Sequence, residues 1–327
     1  MLDNSVKFLQ KLSFKILLFL EILVSSFLNL FFIFGISGTV CAEQTILGNN
    51  WMSGLSDDTK LCDINIPGTH DSGTTYTTAG ISGIIASCQD DTIPEQLKKG
   101  IRYLDIRCDG DLDINHGGVA CYSNILTIKK YKLTFKKVLD DIEKFLDENP
   151  SETVMLQFKH EGVSKKDFLK KVNDLLKTRE KLYKPQTSRP DSLKLKDLRG
   201  KFVVLSRCDG VELSYSYSGW GDNAINGSPD LGDSDCVLQD RYKSFNSKEK
   251  LRTIKSFYEK IWNEDIDNKF VINFTSCIGP YCPELVAKRI NPEFESYIRK
   301  NRGKKFGIIL MDVPTESLIY EIYSSNF

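Results

Sequence analysis

The stretch Ile66-Pro67-Gly68-Thr69-His70-Asp71-Ser72-Gly73 sets an imidazole directly beside a carboxylate, just past the short apolar alternation 63–66. Imidazole titrates nearest neutrality, so a loop histidine next to a carboxylate is suited to carrying protons. The chain holds three histidines, His70, His116 and His160. Other strand-like runs also close on ionisable groups: Arg107 ends 101–107, His116 ends 113–116, Lys159 ends 153–159, Arg207 ends 202–207, and Asp312 follows 307–311. Together these supply two histidines, two carboxylates (Asp71 and Asp312) to orient them, and three cations. That set suits a phosphate diester, which needs a base, an acid and a guanidinium to hold the anion. No G-x-S-x-G elbow and no Walker or Rossmann glycine pattern occurs, so the set makes most sense if the substrate supplies its own nucleophile. His160 follows Lys159 on a strand whose alternation turns neighbours to opposite sides, and it reads as structural.

Elements that could position these groups are legible in order. Residues 63–66 form the first strand, which Pro67 and Gly68 are expected to stop. A loop follows to about residue 91, with Ile81, Ile84 and Ile85 in an apolar patch lacking helical spacing. Thr92 caps a helix to Lys99. Phe135, Val138, Leu139, Ile142, Phe145 and Leu146 recur at helical spacing until Pro150. Further strands are predicted over 101–107, 113–116, 153–159, 202–207, 270–274 and 307–311, and helices over 168–176, 248–262, 283–290 and 294–299. Residues 208–235 read as one long Gly-, Ser-, Asp- and Tyr-rich loop. Strands alternating with helices predict an α/β fold with parallel strands, a TIM-type β/α barrel in a single domain. The C-terminal strand ends of such a barrel meet at one mouth, which is where the ionisable groups fall.

Composition narrows the classes. The 327 residues carry 44 basic and 44 acidic side chains, which gives no case for a polyanion-binding surface and so none for nucleic acid. Residues 1–42 stand apart: Lys7, Lys11 and Lys15 precede an apolar stretch from Ile16 to Val40, and Val40 and Ala42 fit a signal-peptidase site before Glu43. The same segment approaches spanning length, so an uncleaved membrane anchor is the alternative. Either way residues 43–327 form the exported body, and a secreted, extracellular location is expected. Beyond the leader lie Cys62, Cys88, Cys108, Cys121, Cys208, Cys236, Cys277 and Cys282, an even number that favours disulfides in an exported protein. Asn226-Gly227-Ser228 and Asn273-Phe274-Thr275 match glycosylation acceptors.

From about Ile64 to Pro314 the chain resembles the phosphatidylinositol-specific phospholipases C, X-domain family, of the bacterial, secreted, metal-independent type. The resemblance rests on the octapeptide 66–73, Leu104-Asp105-Ile106-Arg107, Asn115-His116-Gly117, Asn149-Pro150-Ser151-Glu152-Thr153, residues 195–201, Gln239-Asp240-Arg241-Tyr242, Asn273-Phe274-Thr275-Ser276 and Met311-Asp312, all in family order. It implies a distorted, incomplete barrel that cleaves phosphatidylinositol to diacylglycerol and inositol 1,2-cyclic phosphate. It further implies that His70 takes the proton from the inositol 2-hydroxyl with Asp312 orienting it. His116, paired with Asp71, protonates the leaving oxygen, and Arg107 holds the phosphoryl oxygens. Lys159, Arg207, Asp240 and Tyr242 match positions that grip the inositol ring, with Glu161 a further contact.

Relatives of the eukaryotic signalling type keep calcium-binding carboxylates where this type has its arginine, so no metal or other cofactor is expected. Phosphatidylinositol in a membrane is the expected partner, approached by a monomer through transient surface contact. Ile81, Ile84, Ile85, Tyr215, Tyr217 and Trp220 are rim candidates for that contact, or else pack onto the barrel. Two other readings stand: a catalytically silent inositol-phospholipid binder, and a calcium-dependent phosphodiesterase on another head group. A glycosylated inositol anchor is as compatible with the sequence as free phosphatidylinositol.

Overall fold

A computed structural model describes residues 48–124, 131–163, 165–217, 220–225, 236–244, 246–278 and 282–327. Residues 1–42, the expected leader, and the acceptor motif at Asn226 lie outside the described residues. Eleven strands are defined among the described residues: β1 (Ile66–Thr69), β2 (Tyr76–Thr77), β3 (Tyr103–Cys108), β4 (Asn115–His116), β5 (Val119–Tyr122), β6 (Thr153–His160), β7 (Lys201–Ser206), β8 (Tyr215–Ser216), β9 (Cys236–Gln239), β10 (Phe270–Phe274) and β11 (Ile308–Met311). Eight of them pair in the order β8-β7-β6-β3-β1-β11-β10-β9, every pair parallel. No pairing joins β8 to β9 among the described residues, so the sheet is a curled half-barrel with helices, an incomplete TIM-type barrel. Residues 46–327 form one compact unit.

Register converts sequence position into proximity. Thr69 pairs with Met311, so His70 and Asp312 leave neighbouring strands side by side. Arg107 pairs with Lys159. The Arg207 N–H donates to Phe158 O at 2.8 Å, bringing that arginine to the next strand end along. Gln239 pairs with Asn273, which places Asp240 at the same rim. The strands themselves are near-continuous apolar runs because both faces are covered; Val154, Leu156, Phe158, Val203, Val204 and Leu310 are all buried. The helix Phe135–Glu148 buries the six apolar residues that its spacing singled out, and Thr134 Oγ1 caps it by accepting from Lys137 N.

Several expectations change. Pro67 and Gly68 do not stop the first strand but lie inside β1, at the centre of the sheet. Proline is tolerated there because β3 pairs with β1 only from Gly68 onward, while Pro67 O still accepts from Arg102 N at 2.9 Å. A Cβ on Gly68 would stand 2.9 Å from Tyr103 Cβ, so close strand approach requires glycine. His116 does not end a barrel strand. β4 belongs to a separate antiparallel sheet, β2-β5-β4, which brings the histidine over the mouth from a hairpin. Residues 81–86 form a helix, and 283–300 form one helix through Pro292 rather than two. The long loop after Cys208 contains β8, and β9 follows it.

No disulfide joins the described cysteines, contrary to the pairing favoured by their even number. Six of the eight are buried, and some of the thiols also make polar contacts: Cys62 Sγ donates to Asp191 O at 3.4 Å, and Cys208 Sγ accepts from His160 N at 3.1 Å. They behave as small apolar side chains. The acceptor motif at Asn273 is also excluded, because Asn273 is buried in β10 and its Oδ1 accepts from Gln239 Nε2 at 2.7 Å. His160 fills a structural place, its ring edge-on to Phe168 at 4.5 Å.

Candidate active site

A cavity of about 490 Å³ opens at the C-terminal ends of the strands. Its lining includes His70, Arg107, His116, Lys159, Glu161, Arg207, Asp240, Tyr242 and Asp312. Of the nine site residues expected from sequence, eight therefore line one cavity, and Asp71 lies buried in contact with two of them.

His70 Nδ1 is 2.8 Å from Asp312 Oδ1, and its Nε2 is 3.0 Å from Asp71 Oδ2. His116 Nε2 is 3.3 Å from the same Asp71 oxygen, while its Nδ1 meets Ala86 O at 2.9 Å. The two rings stand nearly perpendicular, centroids 6.2 Å apart. Asp71 thus lies between the imidazoles. It adopts φ 45°, a conformation uncommon outside glycine, with its N–H donating to Asp105 Oδ2 and Thr74 Oγ1 donating to its carbonyl. Such strain is held only where surrounding contacts over-determine the backbone.

Arg107 is fixed by three carboxylates. Its Nε meets Asp71 Oδ1 at 3.0 Å, one terminal nitrogen meets Asp105 Oδ2 at 2.8 Å, and the other meets Glu161 Oε2 at 3.2 Å. Lys159 Nζ reaches the same Glu161 oxygen at 3.3 Å, and Gly117 N donates to Glu161 Oε1 at 2.8 Å. Glu161 therefore ties the hairpin bearing His116 to the strand ends bearing Arg107 and Lys159. On the far wall, the Arg207 guanidinium lies over Trp220 at 4.1 Å, and Trp220 Nε1 donates to Asp240 Oδ2 at 2.9 Å. Tyr242 Oη donates to Asp222 Oδ1 at 2.6 Å.

Electrostatics follow from this packing. Burial works against a charged His70, but Asp71 and Asp312 outweigh it and lift the imidazole to about 9, with Arg107 opposing them. Burial would raise Asp105, yet Arg107 above all keeps it well below the usual carboxylate range. Glu161 is likewise resisted by burial but drawn down to about 2 by Arg107 and Lys159. Burial lowers Arg207.

Residues that the strand ends did not reveal are Gln157, Trp220 and Lys250. Gln157 Nε2 donates to Asp105 Oδ1 at 2.7 Å, completing the support under Arg107. Strand parity could have found it, since Asp105 and Arg107, like Gln157 and Lys159, share one face. Lys250 is wholly buried and donates to Gln239 Oε1 and Arg241 O, each at 2.9 Å, on either side of Asp240. Burial lowers it to about 8. No sequence signal distinguishes it from the exposed lysines of its helix. Of the rim candidates, Tyr215 and Tyr217 are buried, whereas Ile81, Ile84 and Ile85 are 78%, 60% and 59% exposed.

Residues 64–208 match the family described as "Phosphatidylinositol-specific phospholipase C, X domain". The chain is 27% identical over 326 residues to the 1-phosphatidylinositol phosphodiesterase of Listeria monocytogenes, covering 93% of this chain and 96% of that one. It is 28% identical to the 1-phosphatidylinositol phosphodiesterase of Staphylococcus aureus strain Newman, covering 85% and 94%. The solved phosphatidylinositol-specific phospholipase C from Listeria monocytogenes superposes with a TM-score of 0.71 at 28% identity, over 86% of this chain and 99% of that one. The matched X domain carries the His70, Arg107 and His116 segments, and the likeness to the bacterial enzymes continues through the strands that bring Asp240 and Asp312 to the same mouth. Residues 64–208 thus match the phosphatidylinositol-specific phospholipase C X domain, and most of the chain is similar to the bacterial 1-phosphatidylinositol phosphodiesterases and shares their fold.

Proposed function

We propose that the protein cleaves the phosphodiester of phosphatidylinositol, giving diacylglycerol and inositol 1,2-cyclic phosphate. The observation that carries this reading is Asp71 standing between two perpendicular imidazoles, with Arg107 on its other oxygen. In its neutral form His70 takes the proton of the inositol 2-hydroxyl, steered by Asp312. The freed oxygen attacks phosphorus and the bond to the glycerol oxygen breaks. His116 gives its proton to that leaving oxygen. Arg107, locked by Asp71, Asp105 and Glu161, offers fixed positive charge to the phosphoryl oxygens without reorganising. Lys159, Arg207, Asp240 and Tyr242 grip the inositol hydroxyls.

Intramolecular attack by a held hydroxyl is worth about 7–11 kcal/mol. Each positioned acid or base adds roughly 3–5 kcal/mol, from typical gains of about 10²–10⁴-fold. Positioning dominates, so no protein nucleophile is needed. With Arg107 supplying the cation, turnover is expected to be insensitive to chelator.

The exposed isoleucines 81, 84 and 85, with Ile85 on the cavity rim, suit shallow contact with a lipid surface. Residues 1–42 act as the export leader of a body spanning 43–327, which works outside the cell as a monomer. No helix among the described residues is long and apolar enough to cross a membrane.

The test is incubation of the protein with phosphatidylinositol vesicles plus chelator, following cyclic inositol phosphate by phosphorus NMR. Product is expected from the wild type, with His70→Ala and His116→Ala each losing most of it while keeping the fold. Near-normal turnover in either variant refutes the assignment. Binding without product marks a silent lipid binder, and product that vanishes in chelator marks a calcium-dependent enzyme.

A further inference from the structure

We propose that His70, Asp71 and Cys88 form an inhibitory binding site for a thiophilic divalent cation of the Zn²⁺ class at the floor of the cavity. One ligand atom from each of the three residues lies within 4.8 Å of the others. Asp71 Oδ2 is buried, makes no well-aligned hydrogen bond among the described residues, and meets His116 Nε2 at 3.3 Å. It faces His70 Nε2 at 3.0 Å. A neutral His70 that donates from Nδ1 to Asp312 turns the Nε2 lone pair toward that carboxylate oxygen, so two acceptors confront each other unless positive charge stands between them. A proton does so in the resting enzyme. A metal ion does so equally well, since tetrahedral bonds of about 2.0–2.1 Å hold two such ligands roughly 3.3 Å apart.

Cys88 adds the soft ligand. Its N–H donates to Thr74 Oγ1 at 3.0 Å and its carbonyl accepts from Val313 N at 3.0 Å, so the thiol is held in place beside the histidines, 3.9 Å from His116 Nδ1. Thiolate and imidazole select zinc or cadmium and disfavour calcium and magnesium. Thiolate plus Asp71 balances a dication, and Arg107 stays on the other Asp71 oxygen, so the two cations do not compete for one atom. Asp312 on His70 Nδ1 is the outer carboxylate that commonly orients a metal-bound histidine. Three protein ligands leave a fourth position open to the cavity. Binding releases the thiol proton and the imidazolium proton to solvent. It occupies the nitrogen that takes the substrate proton and the carboxylate shared with His116, so cleavage stops.

Only the inhibition arm of the test rests on the phosphodiesterase reading. Chelator-treated protein is titrated with Co²⁺ and watched for a thiolate-to-cobalt charge-transfer band, then with Zn²⁺, which should bleach it. One equivalent is expected in the wild type. Cys88→Ala, with its fold checked by circular dichroism, should lose the band, and His70→Asn should lose it independently. Asp312→Asn should weaken binding by about 10–100-fold. Phosphatidylinositol cleavage by the wild type should fall on adding Zn²⁺ and return with chelator. Relative to its own chelator-treated rate, Cys88→Ala should need at least about tenfold more Zn²⁺ for the same loss. No band in the wild type, or a band that persists in Cys88→Ala, overturns the site. A band without any turnover in chelator leaves the metal site standing and sinks the phosphodiesterase reading instead.

Discussion

Asp71 concentrates the chemistry of the mouth in one side chain. Its two oxygens serve Arg107 on one side and both histidines on the other, and its backbone is held at positive φ. Removing its charge in Asp71→Asn should lower turnover by about 10²–10⁴-fold, measured on phosphatidylinositol vesicles. Asp312 acts on His70 through charge as well as orientation. Without that carboxylate the imidazole loses its proton more readily, so in Asp312→Asn the rising limb of kcat/KM should move to lower pH by about one unit or more. The same interaction links His70 to stability. Burial opposes its charge, but Asp71 and Asp312 raise it from 6.5 to about 9 in the folded protein. That stabilisation is fully present below pH 6.5 and is lost as pH climbs through about 9. Wild-type unfolding free energy should therefore drop across this window by on the order of 3 kcal/mol more than that of His70→Asn, read by urea denaturation. The two histidines and Arg107 were legible because ionisable types at strand ends are conspicuous. Lys250 was not, because burial is a property of the packed helix and not of the lysine.

At the scale of elements, the helix Ile81–Ala86 is turned inside out. Its buried positions are Gly83 and Ala86, while its isoleucines face outward. A Cβ on Gly83 would fall 1.7 Å from Thr78 O, so glycine lets the helix lie flat against the backbone beneath it and present the apolar side. Replacing Ile81 and Ile84 together by serine should weaken vesicle binding, measured by sedimentation, while turnover of a soluble inositol phosphodiester is retained. Contrary to the expectation that this patch lacks helical spacing, residues 81, 84 and 85 stand at i, i+3 and i+4, but three apolar residues in a glycine-rich stretch carry too little period to declare a helix. β8 and β9 escaped the sequence for a similar reason: strands of two and four residues beside a polar loop show almost no alternation. Pro67 misled because the rule against proline in a central strand concerns the missing N–H, and whether that N–H has a partner depends on where the neighbouring strand begins.

Across the whole molecule, one buried pair joins the N-terminal segment to the bottom of the barrel. Arg102 and Glu152 are both fully buried, 2.9 Å apart, and Arg102 also donates to Gly48 O and Asn49 O while Glu152 accepts from Met52 N. Glu152→Ala leaves a guanidinium uncompensated in the interior and should cost about 3–5 kcal/mol, read by thermal or urea unfolding. This pair lies at the opposite end of the strands from the candidate catalytic groups, so activity per folded molecule should be unaffected.

The chain's own order of residues determined which elements form and which side chains close them, because apolar periodicity and turn residues act over a few positions. It also determined that the ionisable groups closing the parallel strands would gather at one rim, since parallel strands share a direction. Register, burial and the path of the hairpin depend on contacts between segments far apart in the chain. Only the tertiary structure therefore decided that His116 arrives from a separate small sheet, that the eight cysteines pack without disulfides, and that a single carboxylate serves both imidazoles.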